Sequence, residues 1–166
     1  MQQTALTLAT ETPNDWWEVE ALFDLCFAPG RSALSSYRLR EGVDPIGPLC
    51  LTARDAEGIL AGAVRNWPVL VGGQEAVLLG PISVHPTRQG EGVASLLMQR
   101  CLTDARDLGW LRLMLVGDIP YYRRFGFERL NAVIMPPPTN PDRVLGVALA
   151  EGAWQGVSGA VTSMRD

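Results

Sequence analysis

Leu78-Leu79-Gly80-Pro81-Ile82-Ser83-Val84-His85-Pro86-Thr87-Arg88-Gln89-Gly90-Glu91-Gly92-Val93-Ala94-Ser95-Leu96-Leu97 opens the stretch, running on to Leu108, around which this chain is organised. Ala76 to Val84 is too apolar for an edge strand, and Gly80 and Pro81 interrupt its regularity as a bulge or a splayed ladder would. After the polar His85-Pro86-Thr87 a helix is expected to open near Gly90. Its Val93, Leu96, Leu97, Cys101, Leu102, Ala105 and Leu108 trace one apolar stripe, and Gly109 is a natural stop. Leu111 to Val116 then reads as a strand, and a strand, helix and strand in succession predict two parallel strands joined by a crossover.

The turn inside this unit carries the first chemical signal. Gln89-Gly90-Glu91-Gly92-Val93-Ala94 puts small residues where a strand ends and a helix begins. Backbone amides there can approach a ligand, and the helix dipole adds to them, which makes a site for phosphate or pyrophosphate. Pro86 has no N–H, so usable donors start at about Gln89. No Lys-Ser/Thr follows Gly92, which removes the P-loop reading. Gly90-x-Gly92-x-x-Ser95, with Asp118 ending the next strand, leaves a dinucleotide fingerprint open, although the chain has one clear βαβ unit where such folds repeat it.

Working outward, Thr4 to Thr10 reads as a short strand. Asp15 to Cys26 reads as a helix with Trp16, Val19, Leu22, Phe23 and Cys26 on one stripe, stopped by Ala28-Pro29-Gly30. Ser32 to Arg40 reads as a shorter, more polar helix whose Tyr37, Arg38 and Arg40 face either a ligand or only water, with the surface role expected ahead of the other. Leu49 to Ala53 and Ile59 to Val64, separated by Asp55-Ala56-Glu57-Gly58, form a hairpin within a strand-like region that reaches Val71. A loop is expected around Trp67-Pro68. Downstream come a short helix at Pro120 to Phe125, extended chain from Gly126 toward Met135, and a stiff loop at Pro136-Pro137-Pro138. Val144 to Leu149 is a further strand, and Ala153 to Val161 an ambiguous glycine-rich segment that fits a final edge strand. The pattern is that of a mixed α/β sheet, not a fully parallel one.

With 166 residues, 47% hydrophobic and 19% charged, the sequence is expected to fold as a single domain over residues 1–166. A net charge of -4 provides no basic field for nucleic acid. The three cysteines, Cys26, Cys50 and Cys101, lie in apolar segments without a C-x-x-C pair, and read as buried reduced thiols with no metal site. No apolar run is long enough for a membrane helix, and Met1-Gln2-Gln3-Thr4 lacks the basic start of a signal peptide. A cytoplasmic protein is expected, with no membrane partner.

Val84 to Ala94 resembles motif A of the GCN5-related N-acetyltransferases (GNAT), whose signature is Q/R-x-x-G-x-G/A; Gln89, Gly92 and Ala94 fill its positions. Tyr121-Tyr122-Arg123-Arg124-Phe125-Gly126-Phe127 is similar to the family's F-Y-x-x-x-G-F segment, in the family's order and spacing. The likeness covers about residues 4 to 135, and the tail with its triple proline looks like a YhbS-like subgroup of predicted acetyltransferases. It implies an α/β (α+β) acyl-CoA N-acyltransferase fold with a mixed, splayed central sheet. Acetyl-CoA would enter a V-shaped gap between the strand ending at Val84 and the strand ending at Val116. The amides of Gln89, Gly90, Glu91, Gly92, Val93, Ala94 and Ser95 would hold the pyrophosphate, and the backbone of Ile82, Ser83 and Val84 would pair with the pantetheine arm.

The resemblance also makes Tyr122 the general acid, a phenol protonated at neutral pH that can give its proton to the leaving thiolate. Arg88, Arg123 and Arg124 are further candidates for the nucleotide phosphates. No general base is assigned. Ala76 to Val84 contains no acid and Glu75 sits too far back, which leaves His85, Asp118, Glu20 and Asp24 open. The acceptor is an unidentified amine of a small molecule or protein, and the assembly a monomer or homodimer. A non-catalytic acyl-CoA sensor and a dinucleotide-binding protein are the alternatives.

Overall fold

A computed structural model of the chain describes residues 5–27 and 35–165. Readings that fall on Met1 to Thr4, on Ala28-Pro29-Gly30 and on residues 32–34 lie outside them. The elements in order are β1 (Thr7–Thr10), α1 (Trp16–Cys26), α2 (Ser35–Arg38), β2 (Leu51–Arg54), β3 (Leu60–Val71) and β4 (Gln74–Val84). There follow α3 (Val93–Asp107), β5 (Arg112–Val116), α4 (Ile119–Tyr122), β6 (Glu128–Arg129), β7 (Val133–Ile134), β8 (Val144–Ala148) and β9 (Gly159–Ser163).

One sheet runs β1-β2-β3-β4-β5-β8-β6, and β9 pairs with both β3 and β7. The β4–β5 pair is parallel, as the crossover through α3 requires, and β7–β9 is parallel too; the other pairs are antiparallel. Side chains of β4 alternate between two cores. Val77 and Leu79 pack with Val93, Leu97 and Cys101 of α3, while Ala76 and Leu78 join Val133, Met135 and Val161 on the other face. Both faces are covered, which is why β4 is apolar throughout.

Several local readings change. The region 60–71 is one long strand, so Trp67-Pro68 is not a loop. Asn66 turns its carbonyl away from β4 to accept from the Ile46 N–H at 2.8 Å. Pro68, two residues on, has the same orientation, so the N–H it lacks would point between β2, which pairs as far as Val64, and β9, which starts at Val69. A proline is tolerated there because no neighbour needs its donor. Helix α3 starts at Val93, not near Gly90, and its buried residues are Val93, Leu97, Met98, Cys101 and Ala105. Leu96 and Leu108 are exposed: the four-residue spacing from Val93 leaves Leu96 on the flank, and Met98 fills the core instead. Trp16 likewise leaves the α1 stripe and faces solvent. The C-terminal segment is no lone edge, since β9 bridges β3 and β7.

The feature that positions the site is the parting of β4 and β5. They pair only at Val77↔Leu113 and Leu78↔Met114. Just beyond, β4 carries one extra residue against β3, the register passing from Asn66↔Leu79 to Val64↔Ile82 with Gly80-Pro81 in the step. This bulge bends the last third of β4 away from β5. At the paired end the two strands are locked by Arg112, buried, whose Nη1 donates to the Glu75 carbonyl at 2.6 Å and Nε to the Ala153 carbonyl at 2.8 Å.

Candidate active site

The parting opens a cleft of about 650 Å³. One wall is Leu79 to Ile82 of β4, the other Leu115 to Gly117 at the end of β5, with Tyr121 and Tyr122 of α4 beside it. Hydrogen-bond phase decides what β4 offers to this cleft. The His85 N–H bonds the Ala61 carbonyl at 2.8 Å, which makes 85/61 and 83/63 the bonded pairs of the ladder and 84/62 and 82/64 the unbonded ones. Ile82 and Val84 therefore direct their N–H and C=O groups away from β3, toward the open side. The Ser83 backbone is engaged with Ala63. The half-buried Cys26 thiol donates to the Val84 carbonyl at 3.4 Å.

The chain then enters the glycine turn. Pro86–Arg88 is a single 3-10 turn capped by His85, whose Nδ1 accepts from the Thr87 N–H at 3.2 Å and lies 2.8 Å from the Thr87 hydroxyl. Gly92 caps α3 at φ 80°, a left-handed conformation that a side chain disfavours. No N–H from Gln89 to Ser95 finds an acceptor among the described residues. Seven amides are thus free at the N-terminus of a 15-residue helix. Arg88 braces the turn from outside, with Nε 3.0 Å from each Glu91 carboxylate oxygen and Nη1 3.0 Å from Asp55 Oδ2. Backbone donors of Ile59 and Glu57, with Arg88, hold the Asp55 carboxyl below the usual carboxylate range. Arg124 donates to the Tyr121 carbonyl and stacks on its ring. Arg123 has no ion pair among the described residues.

Tyr122 sits on α4 with its ring against the chain leaving β5. A Cβ built on Gly117 would lie 2.4 Å from Tyr122 Cε2, so the ring occupies space that only a glycine leaves. Edge-to-face contacts with Tyr121, centroids 4.8 Å apart, and Phe127, at 5.8 Å, fix its plane. Burial pushes the Tyr122 phenol above its ordinary pKa, with smaller contributions of the same sign from Tyr121 and Asp118. The group is a protonated donor across the physiological range.

The candidate bases fare unequally. His85 is spent on its cap and does not line the cleft. Glu20 is ion-paired with Arg65, which also holds Glu11 at 2.9 Å. Glu75 lies opposite Leu70, at the far end of β4 from the opening. Asp118 lines the cleft and is ion-paired with Arg143.

Three participants in the cleft were not singled out as site residues from the chain. Arg40 is 8% exposed and lines the cleft, where a surface role was expected; its guanidinium lies 3.9 Å from the Tyr37 ring centroid and 5.4 Å from that of Trp67. Gly117 and Arg143 carried no local signal, because each acts through a partner brought in by tertiary structure.

A mixed sheet that parts between two parallel strands, with a glycine turn opening the crossover helix, is the architecture of the acyl-CoA N-acyltransferases. The acetyltransferase (GNAT) domain family matches residues 47–129. The chain is 32% identical over 125 residues to the uncharacterized N-acetyltransferase YhbS of Escherichia coli K12, covering 74% of each chain. It superposes on the crystal structure of E. coli YhbS in complex with CoA at a TM-score of 0.84 and 28% identity, over 99% of this chain and 93% of that one. A GNAT family acetyltransferase from Brucella melitensis, solved with acetyl-CoA, matches at a TM-score of 0.71 and 27% identity, over 96% of both. The chain belongs to the GNAT acetyltransferase family and is an N-acyltransferase of the YhbS-like kind.

Proposed function

We propose that the chain transfers the acetyl group of acetyl-CoA to an amine by direct attack. One observation carries this: a single cleft brings together the open edge of β4 at Ile82 and the half-buried Tyr122, and β4 runs on from it through Val84 into the free amides of Gln89 to Ser95. The pyrophosphate would meet those amides, and the pantetheine arm would bond Ile82 and Val84 as an added strand. Binding of CoA by E. coli YhbS and of acetyl-CoA by the Brucella relative supports that donor.

In the reaction the neutral amine attacks the thioester carbonyl and a tetrahedral intermediate forms. The C–S bond breaks, the amine nitrogen loses a proton, and the thiolate gains one from Tyr122, giving an amide and free CoA without redox change. Asp118 is the cleft carboxylate best located to receive the amine proton through water. Residues 1–166 would form one such domain, cytoplasmic, needing no metal, and monomeric or dimeric. No described helix is long and apolar enough to cross a membrane.

The absence of acid from Ala76 to Val84 favours a second reading, a module that binds acyl-CoA without turnover. Tyr122→Phe separates the two. Turnover should fall by roughly 10²- to 10⁴-fold while acetyl-CoA affinity is kept. A Phe variant as active as the parent at every pH would remove Tyr122 from the chemistry, and a parent that binds acetyl-CoA but never releases CoA from it would favour the sensor.

A further inference from the structure

We propose that Trp67 is a positioning residue for the thioester: by holding the Gly80 carbonyl, its indole sets the direction of the Ile82 N–H, which donates to the thioester oxygen as that oxygen gains charge. The inference rests on the acetyltransferase reading above. The phase of β4 leaves few donors at this depth of the cleft. Leu79 is paired with Asn66, whose carbonyl turns away from β4 to the Ile46 N–H, so the groups of Leu79 face β5 and its N–H belongs to the last rung of the β4–β5 pairing, at Leu78↔Met114. Pro81 has no N–H. The Ile82 N–H is the first past the bulge to face the open side. For an arm laid along β4 from the glycine turn inward it is also the innermost group: Val84 offers its carbonyl and its N–H, then Ile82 its carbonyl, then this N–H. The thioester ends the arm and meets it there, where one well-aimed amide counts most as negative charge develops.

The bulge is what aims that N–H. The β3–β4 register skips Arg65, passing from Val64↔Ile82 to Asn66↔Leu79, and Gly80 stands in the step at φ 143°, a conformation that residues with side chains rarely adopt. A glycine has no side chain to wedge it in place. Its carbonyl is gripped instead by the Trp67 side chain, whose Nε1 donates to it at 2.9 Å. The planar peptide that carries this carbonyl ends at the Pro81 nitrogen, and the Pro81 ring locks the next torsion. Only the Pro81 ψ angle then separates the carbonyl held by the indole from the peptide plane that bears the Ile82 N–H. From the other side that plane is tied through Ser83, which pairs with Ala63. The indole is itself well seated: the Trp67 backbone pairs with Leu78 at the point where β4 leaves β5, and the Arg40 guanidinium lies 5.4 Å from its ring centroid. Gly80, Pro81 and Ile82 line the same cleft as Tyr122, so a rotation of this one plane is felt among the reacting atoms.

The test reads the thioester carbonyl directly and needs no acceptor. Acetyl-CoA labelled with carbon-13 at the acetyl carbonyl is bound to the full chain, and its C=O stretch is followed by isotope-edited difference infrared spectroscopy. In the parent the band should lie below that of the free ligand in buffer. Trp67→Phe keeps a ring beside Arg40 and removes the donor, and its band should return at least halfway to the free position. The Kd for CoA, which lacks the thioester carbonyl, should stay within about twofold, because uniform binding through the arm and the pyrophosphate is untouched. Trp67→benzothienylalanine, with sulfur in place of the indole NH, keeps the shape of tryptophan and should give the same return of the band; it alone decides if the Phe variant does not fold. A band that is not lowered in the parent, or that stays put in the benzothienylalanine variant, overturns the proposal. So does a fall of about tenfold or more in affinity for CoA and acetyl-CoA alike, which would make Trp67 a support of the cleft as a whole. If the parent itself binds no acetyl-CoA, the acetyltransferase reading falls and this proposal with it.

Discussion

Gly117 governs where the Tyr122 phenol can stand, although it touches no reacting atom. Any Cβ at this position would press on Tyr122 Cε2 at 2.4 Å and Cδ2 at 2.9 Å, and ring atoms on a short helix cannot yield as the tip of a flexible side chain does. Gly117→Ala should therefore lower kcat by roughly tenfold to a hundredfold, the usual cost of misplacing a catalytic group by about an ångström. The loss should be absent when Tyr122 is already Phe, so that the double variant is no slower than Tyr122→Phe alone. Additive losses would mean that Gly117 serves the fold and not the phenol. The place of Tyr122 at the cleft was legible in the sequence through the likeness of Tyr121 to Phe127 to a family segment, a local pattern. Gly117 was not, since a glycine needed for close approach looks like any other until the ring above it is known. Arg40 was given to the surface ahead of a ligand-facing place for a related reason: arginine beside a polar helix normally faces water, and nothing local announces Trp67, 27 positions away in the chain, as its stacking partner.

Among the elements, the turn between β4 and α3 depends on a brace from the β2–β3 connection. Asp55 closes its own turn by accepting from Glu57 and Ile59 and then holds Arg88, so the connection between two strands steadies the proposed phosphate site. Asp55→Asn keeps the acceptor for the backbone donors and removes the charge. It should weaken acetyl-CoA binding about two- to fivefold, in line with a partly exposed ion pair, with thermal stability little changed. The pH dependence has a definite sign. Asp55 has a depressed pKa in the folded state, so the brace is intact above the ordinary carboxylate value of about 3.9 and is lost as pH falls through the lower folded value. The ratio of variant to parent affinity should stay constant between pH 7 and about 5 and close only under stronger acid; a ratio that closes near pH 6 would assign the effect to another group. Strand–turn–helix order was readable from hydrophobic period alone. The length of β3 was not, because Pro68 reads as a breaker unless the gap between β2 and β9 is known.

Over the whole molecule, the three thiols report how the layers close. Cys50 and Cys101 are buried, and burial raises both, Cys101 to about 12. Cys26 is half-buried at the end of α1, against the reading of three buried thiols. Maleimide labelling followed by mass spectrometry should give one adduct in the native protein and three in denaturant. Two or more rapid native adducts would show that α3 does not stay packed on the sheet. The general plan was legible because the apolar patterning, the one crossover and the two motifs agree with one another; the closing of the sheet by β9 was not, since its glycine-rich sequence has almost no period. The parting of β4 and β5 has one more consequence. A strand with unpaired backbone groups ordinarily invites other chains to add to it and so risks aggregation. Here the unpaired end of β4 is an inner edge, with β3 on one side and the end of β5 and Tyr122 across the cleft. The protein keeps a row of hydrogen-bonding groups ready while denying them to the strands of its neighbours.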